Sequence, residues 1–106
     1  MAEEIIVLVT ASSEEEAVKI GKALVNEHVV ACVNIVPEIR SLFFWQGTTQ
    51  DEREILLVCK SRLPLLEKLT ARVKELHSYS VPEVVALPII GGSEAYLSWV
   101  RESTGG

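Results

Sequence analysis

The sequence predicts a single α+β domain: a ferredoxin-like split βαβ sandwich with a long bent β-hairpin and a short C-terminal helix. Three observations carry this. Apolar runs and helical stripes alternate in the order β-α-β-β-α-β-α, and two βαβ units joined by a hairpin give that arrangement. The polar segment 46–51 separates two extended runs with no helix between them, which makes those runs antiparallel neighbours. At 106 residues the chain has room for one core, so residues 1–106 form one domain.

The elements follow in order. Ile5-Ile6-Val7-Leu8-Val9-Thr10 is a continuous β-branched run, the pattern of a central strand. Ser12 with Glu15, or Ser13 with Glu16, fits a capping box. Ala17, Ile20, Gly21 and Leu24 then recur at helical spacing, predicting a helix over 13–27. Residues 29–45 are extended, and Pro37 requires a bulge, bend or edge among them. Residues 46–51 read as a turn, and 53–60 as the next strand. Pro64 suits a first helical turn, and Leu66, Leu69, Val73 and Leu76 form a core-facing stripe behind it. Residues 81–90 are extended between Pro82 and Pro88. Gly91-Gly92 breaks the chain, and Ser93 caps a short helix carrying Tyr96, Leu97, Trp99 and Val100. The tail, 103–106, is expected to fray.

This arrangement puts both long helices on one sheet face and leaves the other without cover in the chain. A sphere of this length is about 34 Å across, whereas residues 31–45 fully extended would span roughly 50 Å. The hairpin must therefore bend or project. A projecting Phe43-Phe44-Trp45 tip calls for a partner, and a closed oligomer supplies one. A turn centred near residue 48 sets Cys32 opposite Pro64 and Cys59 opposite Pro37, so no intrachain disulfide is expected.

Composition narrows the function classes. Ten basic against fifteen acidic residues give a net charge of -5, with a pI near 5.0, which argues against nucleic acid as partner. The longest apolar run, 5–9, is far below the roughly 18 residues of a membrane span. The start, Met1-Ala2-Glu3-Glu4, is acidic where a signal peptide is basic. A cytoplasmic protein without membrane attachment is expected. Two His and two Cys, in no ligand spacing, do not make a closed zinc site. No nucleophile elbow, Walker loop or dinucleotide fingerprint is present, so an enzyme is not expected.

One series of motifs is specific. Ala31-Cys32-Val33-Asn34-Ile35-Val36-Pro37 is followed by Ser41-Leu42-Phe43-Phe44-Trp45-Gln46-Gly47 and by Glu54-Ile55-Leu56-Leu57 with Lys60-Ser61. His77-Ser78-Tyr79-Ser80-Val81-Pro82-Glu83, Ala86-Leu87-Pro88-Ile89 and Tyr96-Leu97-Ser98-Trp99 complete it. The series resembles the CutA family, the divalent-cation-tolerance proteins, over essentially the whole chain. The resemblance implies a ferredoxin-like subunit in a homotrimer, binding of copper or another divalent cation, and a link to metal tolerance. The chain departs from the family pattern at Ser78 and Ser80, where Pro and Glu are usual, and at Phe43, where Tyr is usual. Val9 and Leu76 stand where some members carry Cys and His.

Several residues are candidates for the chemistry. His77, ending the second helix, has the imidazole that copper favours; the alternative is a surface histidine stabilised by the helix C-terminus. Cys32 offers a soft thiolate for Cu(I), or is a small buried hydrophobe. Lys60, Tyr79, Glu83 and Trp45 are expected to line an inter-subunit cleft, with Glu83 alternatively in a structural ion pair and Trp45 a packing anchor. Asp51, Glu52 and Glu54 read as a solvated acidic edge. The expected function is a non-catalytic homotrimer that binds a divalent cation, copper above all, weakly, in response to metal ions. The alternative is a signalling-type trimer that takes a small molecule or protein partner in its clefts.

Overall fold

The computed structural model describes residues 3–105; Met1 and Ala2 of the acidic start, and Gly106 of the tail, lie outside them. The elements are β1 (Glu4–Ala11), α1 (Glu14–Asn26), β2 (Cys32–Trp45), β3 (Thr48–Arg62), α2 (Leu66–Leu76), β4 (Val84–Pro88) and α3 (Glu94–Ser103). A 3-10 turn at Leu63–Leu65, with Pro64 inside it, leads into α2. The sheet order is β2-β3-β1-β4 with every neighbouring pair antiparallel, as the split βαβ arrangement requires. Alternation along β1 turns Ile5, Val7 and Val9 toward Ala17, Ile20 and Leu24 of α1 and Leu69 and Val73 of α2. Leu57 and Cys59 of β3 complete that core. Both long helices therefore share one sheet face.

The start of α1 uses both candidate serines. Ser13 Oγ accepts the Glu16 N–H at 3.1 Å, and Glu16 Oε1 reaches back to the N–H and hydroxyl of Ser12, each at 2.9 Å. The carboxylate thus closes on the residue before the cap rather than on the cap itself.

The hairpin turns on two residues, Gln46 and Gly47, both at positive φ (51° and 83°). That is the geometry whose twist matches the flanking strands. The expected six-residue turn is replaced by strand: Trp45 pairs with Thr48, and residues 48–51 join the ladder. The register moves accordingly. Cys32 faces Lys60 and Cys59 faces Val33, not the two prolines. Cys59 is buried in the core and Cys32 lies on the opposite face, so both thiols stay free. Val36 pairs with Leu56 and Ile39 with Glu54, which leaves Pro37 and Glu38 opposite Ile55 alone. This bulge accommodates the missing proline N–H and bends the strand. The hairpin also projects: the molecule measures 44 × 25 × 23 Å.

The second sheet face is not bare, contrary to expectation. The α3 helix covers one end of it, burying Leu97 and Val100. Arg101 bonds Glu4 at 3.2 Å, and the Tyr96 hydroxyl lies 3.5 Å from Cys32 Sγ. Nor does the whole tail fray. Thr104 is buried and receives two bonds from the Arg62 guanidinium, both 2.8 Å, one on its hydroxyl and one on its carbonyl. Beyond α3, the strand pairing lines up Leu87, Ile6, Val85, Leu8, Val58 and Leu56 on this face. Val85 and Leu87 are nearly half exposed there.

Candidate functional site

At the end of the open face away from α3, the hairpin arm overhangs the loop that joins α2 to β4. A groove of about 980 Å³ lies between them. Pairing of Ser41 with Glu52 and Phe43 with Gln50 puts those side chains on one side of the arm, where they form a wall. Glu54, two residues beyond Glu52, continues that wall toward Thr10. Tyr79 and Glu83 come from the loop and Trp45 from the tip.

The loop is tied to the body by Glu16 and His77. Glu16 Oε2 accepts the Ser78 N–H at 2.9 Å, while Oε1 holds Ser12. Burial would raise this carboxyl's pKa, but the bonds from Ser12 and Ser78 outweigh it and bring it down from 4.5 to about 2. Ser78 thus supplies an anchored N–H that a proline in its place would lack. The His77 side chain is fully buried, with Nδ1 3.9 Å from Glu16. Nδ1 accepts the Tyr79 N–H at 3.0 Å, which places the proton on Nε2, where it is donated to the Thr10 carbonyl at 2.6 Å. The ring also packs on Tyr79, with centroids 4.6 Å apart. Both nitrogens are therefore engaged, and in this conformation His77 presents no free lone pair to the groove.

Tyr79 carries the connection onward. Its hydroxyl donates to Glu54 Oε2 at 2.9 Å. Burial, together with the Glu54 carboxylate, pushes the phenol up to about 12, so it stays a donor at neutral pH. Glu54 is 7% exposed, a correction to its place in a solvated acidic edge; Glu52 beside it is exposed as expected.

The predicted site residues thus divide. Tyr79, Glu83 and Trp45 line the groove. Lys60 does not: it lies across the ladder from Cys32, and its ammonium bonds Asn34 Oδ1 at the α3 end of the sheet. Cys32 is half-buried, between Asn34 and Tyr96. Its hydrogen bond to Tyr96, with burial, raises that phenol to about 12. Glu16 and Glu54 were not among the expected site residues. The sequence signal for Glu54 is its spacing from the Gln46-Gly47 turn, which sets the face it points to. Among the described residues no three His, Cys, Asp or Glu side chains stand close enough to cage a metal. One chain alone therefore does not fit a tight metal centre.

The fold and groove define a class: a split βαβ subunit with a projecting hairpin arm, an acidic groove beneath it and a partly open sheet face. Comparison with known proteins narrows the class to a family. The model of the CutA1 divalent ion tolerance protein matches residues 5–103, and the chain belongs to that family. It is 52% identical over 102 residues to the divalent-cation tolerance protein CutA of Thermus thermophilus, covering 96% of this chain and 99% of that one. A solved structure of the Thermus thermophilus protein superposes with a TM-score of 0.94, over 96% of this chain and 99% of that chain. The chloroplastic protein CutA of Arabidopsis thaliana is 49% identical over 94% of this chain but only 55% of its own length. The chain spans about half of such plant and animal relatives. Among the described residues no helix is long and apolar enough to cross a membrane.

Proposed function

We propose that the protein is a homotrimer that binds divalent cations, copper foremost, and serves metal tolerance in the cytoplasm by binding rather than by catalysis. The carrying observation is the apolar band of the open face, bordered by an exposed hairpin tip: Phe44 is 73% and Leu42 67% exposed. Neighbouring copies would bury both, and the groove would become a cleft between subunits. Family membership supports the cation. With no three-donor cluster among the described residues of one chain, a cation would be held by Glu54 and Glu83 with donors from a second copy. His77 would join only by releasing the Tyr79 N–H, so affinity is expected to be weak.

Calorimetric titration of the native oligomer with Cu(II) and Zn(II) tests this. Weak Cu(II) binding that falls in His77→Ala and persists in His28→Ala is the expected result. No heat with either ion at millimolar concentration would overturn it. The same groove supports a second reading, a trimer that takes a small molecule or protein partner in its clefts. Its size lies within the range of small-molecule sites.

A further inference from the structure

The two ends of the open face carry opposite chemistry. At the arm end, Glu52 and Glu83 are exposed on the groove walls, and neither side chain is hydrogen-bonded or ion-paired among the described residues. The basic side chain on those walls, Arg53, is already held by Glu38 at 2.8 Å. Phe43 and Trp45 line the same groove and stay exposed. At the α3 end, the Lys60 ammonium donates to a neutral acceptor, Asn34 Oδ1, and among the described residues no carboxylate meets it. Arg62 and Arg101, at that end too, are each paired with a glutamate. Tyr96, whose hydroxyl reaches Cys32 across the ladder from Lys60, forms an aromatic pair with Trp99. Their centroids are 5.5 Å apart, and the residues are 42% and 43% exposed.

These two patches cannot meet within one chain. Lys60 and Glu52 lie on the same strand, separated by roughly 26 Å at about 3.3 Å per residue. An acidic, aromatic recess at one end and an ammonium with an aromatic pair at the other complement each other only between copies. Contact of unlike patches is the heterologous kind, which closes into a ring. We propose that the groove beneath the arm of one copy receives the α3 end of the next, with Lys60 set against Glu52 and the Tyr96–Trp99 pair packed on Phe43 and Trp45. Docking of two arm ends on each other would oppose like charges, so the pairing of acid with ammonium sets which patch meets which. Glu54 is not needed for the contact, because the Tyr79 hydroxyl already holds it. The proposal deepens the trimer reading above and rests on it.

The test is zero-length cross-linking of the unaltered native protein with a water-soluble carbodiimide, which joins a carboxylate and an ammonium in contact as an amide, with loss of water. Peptide mass mapping of the cross-linked oligomer should find Lys60 joined to Glu52. The two are too far apart in one chain, so that link forms only between copies. Sedimentation equilibrium supplies a second readout. Lys60→Glu and Glu52→Lys should each raise the dissociation constant of the assembly by at least about tenfold. The double variant, Lys60→Glu with Glu52→Lys, should recover to within about threefold of wild type. A cross-linked oligomer whose Lys60 is joined to other acids or to none, folded single variants that assemble like wild type, or a double variant no better than the singles would each overturn the proposal. The cross-link uses the unaltered protein, so it decides even if a variant does not fold. A particle of 11.7 kDa would overturn the trimer and this contact together, whereas an intact trimer lacking the Lys60–Glu52 link would overturn this contact alone.

Discussion

Glu16→Gln is the perturbation with the most to say about how the groove is held in place. The carboxylate joins the start of α1, through Ser12, to the loop after α2, through Ser78. Its pKa near 2, against 4.5 ordinarily, means that its charged form is favoured in the folded state. By linkage that is about 3 kcal/mol of stability. The sign follows from the depression: the contribution is complete above pH 4.5 and is lost as pH falls toward 2. Glutamine keeps one acceptor but turns an NH2 toward donors, so Glu16→Gln should cost about 2–3 kcal/mol at pH 7. Urea unfolding at fixed protein concentration, at pH 7, 5 and 3.5, measures this. The gap between wild type and variant should be constant from pH 7 to 5 and narrow at 3.5. A gap below about 0.5 kcal/mol at pH 7, or one that does not change with pH, would refute the assigned role of the carboxylate.

Three other outcomes are expected. His77→Ala should cost about 3 kcal/mol in the same assay, since it empties a fully buried ring site and strands the Thr10 carbonyl and Tyr79 N–H; a loss under 1 kcal/mol would mean that the ring is not so held. Gly47→Ala should cost about 1 kcal/mol through left-handed strain alone, because an added Cβ at φ +83° meets nothing within 4 Å; no change would argue against the two-residue turn. In native monomeric or oligomeric protein at pH 8, a thiol reagent should leave Cys59 unmodified, because burial pushes its thiol up to about 12; rapid labelling of Cys59, read by peptide mass mapping, would contradict its place in the core.

The legible parts of this fold were those written in local periodicity. The run from Ile5 to Val9, the stripe of Leu66, Leu69, Val73 and Leu76, and Ser93 ahead of α3 each carry their element in a few adjacent residues. The hairpin register was not legible. Thr48-Thr49-Gln50-Asp51 is as polar as a loop, and only Gln46 adopting a left-handed conformation lets it pair. Cover of the open face by α3 brings together residues far apart in the chain, Arg101 with Glu4, 97 residues away, and Thr104 with Arg62. Tyr79, Glu83 and Trp45, singled out through motif resemblance, share one groove of the chain, but the polar chemistry of that groove was not legible. Glu54 looks like one more exposed acid until Tyr79, 25 residues on, covers it. Glu16 looks like a helix cap until Ser78 arrives from 62 residues away. Lys60 stood beside those residues in the motif series, and within the chain it lies at the α3 end of the sheet, away from them.

The most direct test of the central claim is the mass of the native protein in solution, by sedimentation equilibrium at micromolar concentration. Burial of the open face and hairpin tip by two further copies predicts three times 11.7 kDa, with Trp45→Arg weakening the assembly on dilution. A stable particle of 11.7 kDa would contradict the trimer and leave the groove a surface feature of a single chain.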